Sequence, residues 1–162
     1  MIRELDPMTD LPAVEALFHA AADYVDLETG LPVDGSQARE FFTDAPPGID
    51  PASSLRLGMF EGERLVGKVD LAFGYPEPQD AYVGLMIFDP AARGRGNGAR
   101  LLRDVEARAR ARGATRLLIA ALGANEKGRA FWMREGFVPD QIFPDRDYGN
   151  RRHDVHRMVK PL

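Results

Sequence analysis

Three glycines alternate with charged and polar residues in Arg93-Gly94-Arg95-Gly96-Asn97-Gly98, between an apolar run ending at Phe88 and a long helical pattern. Side chains are missing from every second position, so this loop can wrap closely around a ligand. The following helix opens with unpaired N–H groups and the positive end of its dipole, which together favour an anion such as a diphosphate. The apolar run Tyr82–Phe88, the helix to about Arg112 and a second apolar run Arg116–Leu122 read as a βαβ unit. Such a unit is parallel and right-handed. It is the strongest restriction that the sequence places on the fold.

The rest of the chain arranges itself around that unit. Ile2–Leu5 reads as a short strand. Thr9 or Asp10 can cap a helix, with Pro12 tolerated in its first turn. Val14, Leu17, Phe18, Ala21 and Val25 recur at helical spacing, and a loop from Asp26 to Gly35 leads to a second short helix with Ala38, Phe41 and Phe42. Leu55–Phe60 and Leu65–Phe73 alternate as strands around the turn Glu61–Arg64, and Tyr75–Pro78 makes another turn. Leu101, Leu102, Val105 and Ala109 define the buried stripe of the long helix, and Gly113 stops it. Asn125 caps a last helix that Gly136 ends, and strands near Val138–Phe143 and His153–Val159 close the chain. The fold class implied is α/β: a mixed, mostly antiparallel sheet of six to seven strands with one parallel pair and about four helices on both faces.

Composition narrows the function. A length of 162 residues suits a single domain spanning residues 1–162, and the absence of cysteine excludes disulfides, thiolate metal sites and a cysteine nucleophile. No apolar run is long enough for a membrane span or a signal region, so the expected location is cytoplasmic, with no membrane partner. The net charge of −4 hides a division: residues 1–92 carry five Lys/Arg against seventeen Asp/Glu, whereas residues 93–116 carry eight Arg against two acids. An anionic cofactor on one part of the fold and a cationic substrate on another would fit that division; so would solvated helix faces.

Other readings of the glycine loop lack their context. A dinucleotide fingerprint needs its first glycine directly after a strand and an acid about twenty positions on. Here five residues separate Phe88 from Gly94, and Thr115–Ala124 contains no acid. No Gly-Lys-Ser/Thr triplet offers a nucleoside-triphosphate loop. The Arg-Gly repeats lie in an ordered strand–loop–helix setting within an acidic chain, which argues against a nucleic-acid partner. His153 and His156 fall on opposite strand faces with no grouped ligands, so no metal is expected. His19 lies on the polar side of its helix, with no triad partner.

The hexapeptide resembles the Arg/Gln-x-x-Gly-x-Gly/Ala motif of the GNAT superfamily of N-acetyltransferases. Asn125, Ala130, Phe131-Trp132 and Gly136-Phe137 resemble that family's second signature. The resemblance implies acetyl-CoA as acyl donor. Its pyrophosphate would lie on the backbone of Arg93, Gly94, Arg95, Gly96, Asn97 and Gly98, with Ala99 starting the helix. Met86, Ile87 and Phe88 would pair with the pantetheine arm, and Asn125 and Trp132 would border the cofactor where the two strands splay. The product would be an acetylated primary amine of a small molecule or peptide, formed by direct attack. A homodimer is compatible with the resemblance and not demanded by it. A non-catalytic acyl-CoA-binding domain and, more remotely, a nucleotide-binding module are the alternatives.

The chemistry departs from the family. A lysine-like amine of pKa about 10.4 costs roughly 4–5 kcal/mol to deprotonate at pH 7, so a proton route matters. Tyr82 stands where many relatives carry an acid, and Asp70 alternates with Val69 and Leu71 in the preceding strand; these two are the catalytic candidates. Asp80 reads better as a solvent-facing residue. The position of the family's thiolate-protonating tyrosine holds Trp132, leaving Tyr148, Tyr82 or water to replace it. Tyr24, Asp26, Glu28 and Tyr148 are the expected substrate contacts, because aromatic walls beside acids suit a small cationic amine.

Overall fold

In the computed structural model, which describes residues 1–162, seven strands form one sheet. In chain order they are β1 (Ile2–Glu4), β2 (Leu55–Glu61), β3 (Arg64–Phe73), β4 (Asp80–Phe88), β5 (Arg116–Leu122), β6 (Val138–Tyr148) and β7 (Arg151–Pro161). Five helices accompany them: α1 (Leu11–Ala20), α2 (Ala22–Thr29), α3 (Ser36–Thr43), α4 (Asn97–Ala111) and α5 (Glu126–Arg134). The order across the sheet is β1-β2-β3-β4-β5-β7-β6, and only β4 and β5 run parallel. This is the mixed, mostly antiparallel sheet with one parallel pair that the sequence implies.

Helices cover both faces. Leu101, Leu102, Val105 and Ala109 of α4, with Trp132 of α5, pack on one face against Val69, Leu71, Val83 and Ile119. Removing a fully buried leucine such as Leu101 would cost about 2–5 kcal/mol. Val14, Leu17 and Phe18 of α1, Val25 of α2 and Phe41 of α3 cover the other face. No helix is long and apolar enough to cross a membrane.

Three local features differ from the sequence expectation. The helical face Val14–Val25 belongs to two helices, because Ala21 (φ −94°, ψ 30°) leaves the helical region between α1 and α2. The expected loop Asp26–Gly35 is helical as far as Thr29, and Gly30 (φ 65°) ends α2 with its N–H on the Asp26 carbonyl. Only Val25 of α2 is buried, so apolar periodicity carries almost no signal there. β6 and β7 also extend well past their expected ends. β6 is an edge strand, exposed over most of its length, so it shows little apolar alternation.

The sheet opens in the middle. β4 and β5 pair from Asp80↔Arg116 to Val83↔Ile119 and no further. At the same point the β3–β4 register shifts: Val69 faces Met86 and Leu71 faces Val83, so Gly84 and Leu85 together oppose Asp70. A bulge of this kind bends its strand and increases its twist, turning the last half of β4 away from β5. The Leu85 N–H donates to Asp70 Oδ1 at 2.9 Å, which satisfies the amide that the bulge takes out of the ladder. A Cβ on Gly84 would lie 2.0 Å from Asp70 Oδ2. Gly84→Ala should therefore expel the carboxylate and break this bond, lowering stability by about 1–3 kcal/mol in urea denaturation.

Candidate functional site

The opened strands and the loop after β4 form one continuous depression. Between β4 and β5 a narrow pocket is lined by Gly84–Met86, Ala120–Leu122, Trp132 and Tyr24. It joins a cleft of about 740 Å³ that runs along Met86–Phe88 and the glycine loop to the first turns of α5, a size within the roughly 300–1,000 Å³ range of ligand sites. The Asp89 N–H donates to the Val66 carbonyl of β3. Strand alternation then directs the N–H and C=O groups of Ile87 towards β3, and those of Met86 and Phe88 into the cleft.

Local hydrogen bonds shape the loop. The Asp89 side chain accepts from Ala91 N–H and holds a 3-10 turn at Pro90–Ala92, and Asn97 Nδ2 donates to the Ala92 carbonyl at 3.0 Å. Gly94 and Gly96 have φ of 70° and 78°, the left-handed region in which side-chain-bearing residues are strained. In this conformation none of the six backbone N–H groups from Gly94 to Ala99 donates to another backbone or side-chain group. They gather at the start of α4, a helix of fifteen residues. Unpaired donors and the helix dipole thus coincide at one wall of the cleft.

Across the cleft, Asn125 Oδ1 accepts from Gly128 N–H at 3.0 Å and caps α5. Trp132 meets Phe131 and Phe137 edge to face, with ring centroids 4.9 and 5.2 Å away. Arg93 ties the loop to α2: its Nη atoms contact Asp23 at 2.5 and 3.0 Å, and its Nε donates to the Phe88 carbonyl.

Ionisable side chains gather on the sheet face that carries α1, α2 and α3. Tyr24 and Glu28, four residues apart on α2, share one side of it, and Tyr24 Oη donates to Glu28 Oε2 at 3.2 Å. Burial raises the Glu28 carboxyl pKa, against the lowering pull of Tyr24, Lys68 and His153. Burial also raises Asp70, and pushes the Tyr82 phenol up to about 12. Lys68 is wholly buried, with Nζ 3.9 Å from the Phe41 ring centroid and 4.9 Å from that of Phe18, and makes no hydrogen bond. Desolvation pushes its ammonium down to about 8, although Asp70 and Glu28 pull the other way. Tyr148 stacks edge-on to His153, whose Nε2 lies 2.8 Å from the Glu28 carbonyl. A carbonyl only accepts, so His153 carries its proton on Nε2 there.

A profile described as the Acetyltransferase (GNAT) family matches residues 15–137. The chain belongs to this family. Solved structures share its fold at identities too low to show more. An acetyltransferase from Thermus thermophilus is 24% identical with a TM-score of 0.75, covering 100% of this chain and 96% of that one. A ribosomal-protein-alanine N-acetyltransferase from Brucella melitensis is 20% identical at 0.77, covering 100% and 99%. An acetyl transferase of Salmonella typhimurium, described as modifying the N-terminal serine of ribosomal protein L7/L12, is 17% identical at 0.79, covering 99% and 94%. No curated protein matches the chain significantly. Membership supports acetyl transfer as the general activity.

Within this GNAT fold the expected cofactor residues are largely brought together. Met86, Ile87, Phe88, Arg93, Gly94, Gly96, Gly98, Ala99, Asn125 and Trp132 all line the cleft. Two side chains do not. Arg95 reaches out to Glu61 at 3.4 Å, and Asn97 turns inward to the Ala92 carbonyl; both residues still present their backbone N–H groups. Among the expected substrate residues, Tyr24, Glu28 and Tyr148 share one face with Asp70 and Tyr82. Asp26 does not join them. Two positions along a helix from Glu28, it points to the opposite side and pairs with exposed Arg151. Asp80, read as solvent-facing, is instead buried and held by two bonds from Arg116 at 2.8 and 2.7 Å.

Lys68 and Asp23 were missed. A lysine in the middle of Leu65–Val69 is itself a signal, since a charge inside an apolar strand needs partners. Its titration offers a test. The folded chain binds the Lys68 proton more weakly than the unfolded chain, so between about pH 8 and the ordinary value of 10.5 stability rises with pH. Lys68→Met should remove that rise, as urea midpoints collected through this window would reveal.

Proposed function

We propose that this protein transfers the acetyl group of acetyl-CoA to a primary amine of a small molecule or peptide by direct attack. The observation that carries this reading is the row of six unpaired N–H groups, Gly94 to Ala99, at the mouth of α4. That donor set fits a diphosphate, and the glycines leave it uncovered: a Cβ at Gly94 or Gly96 would point into open space where the phosphates belong. The backbone groups of Met86 and the N–H of Phe88, whose carbonyl already accepts from Arg93 Nε, suit the amides of a pantetheine arm, with Asn125 and Trp132 on the opposite wall. Bound acetyl-CoA supplies an activated thioester.

The chain's own residues have the remaining tasks. The face with Tyr24, Glu28 and Tyr148 receives the amine, and its carboxylates favour a cationic acceptor. Glu28 and Asp70, raised by burial, hold a proton more readily than ordinary carboxylates and are suited to take one from the attacking nitrogen. Tyr82, pushed up to about 12, stays protonated near neutrality and can donate but not accept a proton. One observation favours a second reading, an acyl-CoA-binding domain without turnover: the indole of Trp132, packed between Phe131 and Phe137, has no acidic proton to offer a thiolate.

Acetyl-CoA at a hundredfold over its Kd should stabilise the fold by about 2.7 kcal/mol, raising Tm by roughly 5–10 °C, whereas adenine dinucleotides should not. Absence of any shift at millimolar acetyl-CoA defeats both CoA readings. Release of free CoA across a panel of amines, polyamines and peptide N-termini separates the enzyme from the binding domain. Gly96→Val should weaken acetyl-CoA binding by more than about a hundredfold. Urea denaturation of the same variant distinguishes a lost cradle from a lost fold.

A further inference from the structure

Four residues border both the narrow pocket between the splayed strands and the long cleft: Tyr24, Met86, Asn125 and Trp132. This junction is where the chain can reach a group lying across both spaces. Met86 has no transferable proton. Asn125 is engaged as the cap of α5. The indole N–H of Trp132 donates hydrogen bonds but gives up no proton near neutrality. Tyr24 is the one member of the four with a transferable proton, and its hydroxyl is already bonded to the Glu28 carboxylate. Neither the position of Tyr24 on α2 nor its pairing with Glu28 follows from the glycine loop or from the second signature.

Building on the acetyl-CoA reading above, we infer that Tyr24 and Glu28 form a proton relay, with Tyr24 as the acid that protonates the departing sulfur. The acceptor attacks as the neutral amine. The C–N bond forms, the C–S bond breaks, and the electron pair of the C–S bond leaves on sulfur. The proton shed by nitrogen goes to the Glu28 carboxylate. Glu28 passes it to Tyr24 Oη as Tyr24 gives its own hydroxyl proton to the thiolate. Amide and thiol leave, and both side chains end in the states in which they began.

The surroundings fit this traffic. Facing Glu28 are Tyr24 from its own helix, Lys68 from β3, His153 from β7, Glu40 from α3 and Tyr148 from β6. Burial makes the carboxyl readier to hold a proton in transit, while Lys68 and the His153 side keep the ionised form within reach. Burial, with Glu28 and Tyr148 nearby, raises the Tyr24 phenol, so it stays a proton donor throughout the ordinary pH range. His153 Nε2 fixes the Glu28 backbone, Asn150 N–H bonds the Thr29 carbonyl and Arg151 Nε bonds the Asp26 carbonyl, so β7 and its turn pin the end of α2. The helix end that carries the relay is therefore anchored to the last hairpin.

The test uses the full chain and its Tyr24→Phe and Glu28→Gln variants. Calorimetry with acetyl-CoA and with free CoA comes first, and wild-type turnover second; if the wild type does neither, the acetyl-CoA reading itself has failed. With that established, Tyr24→Phe should lower kcat on the order of a hundredfold near neutral pH while acetyl-CoA affinity stays at the wild-type value. In the complex with free CoA, thiolate absorbance in the ultraviolet should appear at higher pH in Tyr24→Phe than in wild type, because the hydroxyl that stabilises the thiolate is gone. Glu28→Gln should lower kcat and erase the acidic limb of the kcat/KM profile. A kcat of Tyr24→Phe equal to wild type, or a thiol titration that the substitution does not move, overturns the relay. Should Tyr24→Phe lose affinity for acetyl-CoA as well, an unmoved acidic limb in Glu28→Gln overturns it independently.

Discussion

The hydrogen bond from Leu85 N–H to the Asp70 carboxylate holds open the middle of this sheet. Parallel neighbours normally stay paired along their length, because each unpaired amide in the interior costs about 1–3 kcal/mol. Here β4 carries one residue more than β3 can match, and the surplus amide finds a side chain in place of a strand. The remainder of β4 is then free to turn from β5, and the edge so released faces a cleft. Without that bond the register would have to close or leave a donor stranded. Two faces border that opening: donor groups line one side, and the ionisable cluster of α2 and β3 lies at the other.

The loop after β4 obeys the same logic at smaller scale. Asp89, Asn97 and Arg93 spend their side chains on backbone and on Asp23, so that the backbone itself remains unspent from Gly94 to Ala99. The arginines of the hexapeptide are therefore scaffolding. Arg93 belongs to an ion pair that joins the loop to α2, and Arg95 to one with Glu61. In the proposed acetyl-CoA reading, anion recognition falls to amide groups and to the helix dipole, which carry no side-chain entropy.

How much of this was legible follows from the kind of signal each residue carries. Strand, glycine loop and helix were readable because their constraints are local: apolar runs, absent side chains and a four-residue buried stripe on α4. The cap at Asn125 and the stop at Gly136 were readable for the same reason. The bulge was not, since nothing in Val83–Met86 says which partner residue it will face. Asp80 was misjudged because a carboxylate beside a turn looks solvated until Arg116, 36 positions later, arrives beside it. Asp26 was grouped with Glu28 because a loop would have let both turn inward, whereas a helix sends them to opposite sides. Lys68 was overlooked although its apolar neighbours marked it, because, apart from Asp70 two places along β3, its partners come from α1, α2 and α3.

The clasp between α2 and the last hairpin has a consequence for the order in which the protein comes into being. Three carbonyls at the end of α2, those of Asp26, Glu28 and Thr29, are bonded by Arg151, His153 and Asn150, all more than a hundred positions further along the chain. β7 also supplies the outer neighbour of β5. On the ribosome the helix that carries Tyr24 and Glu28 is made more than a hundred residues before its anchor. The face formed by Tyr24 and Glu28 is anchored only once residues 150–153 have emerged, so a nascent chain can carry the glycine loop while that face is still unanchored.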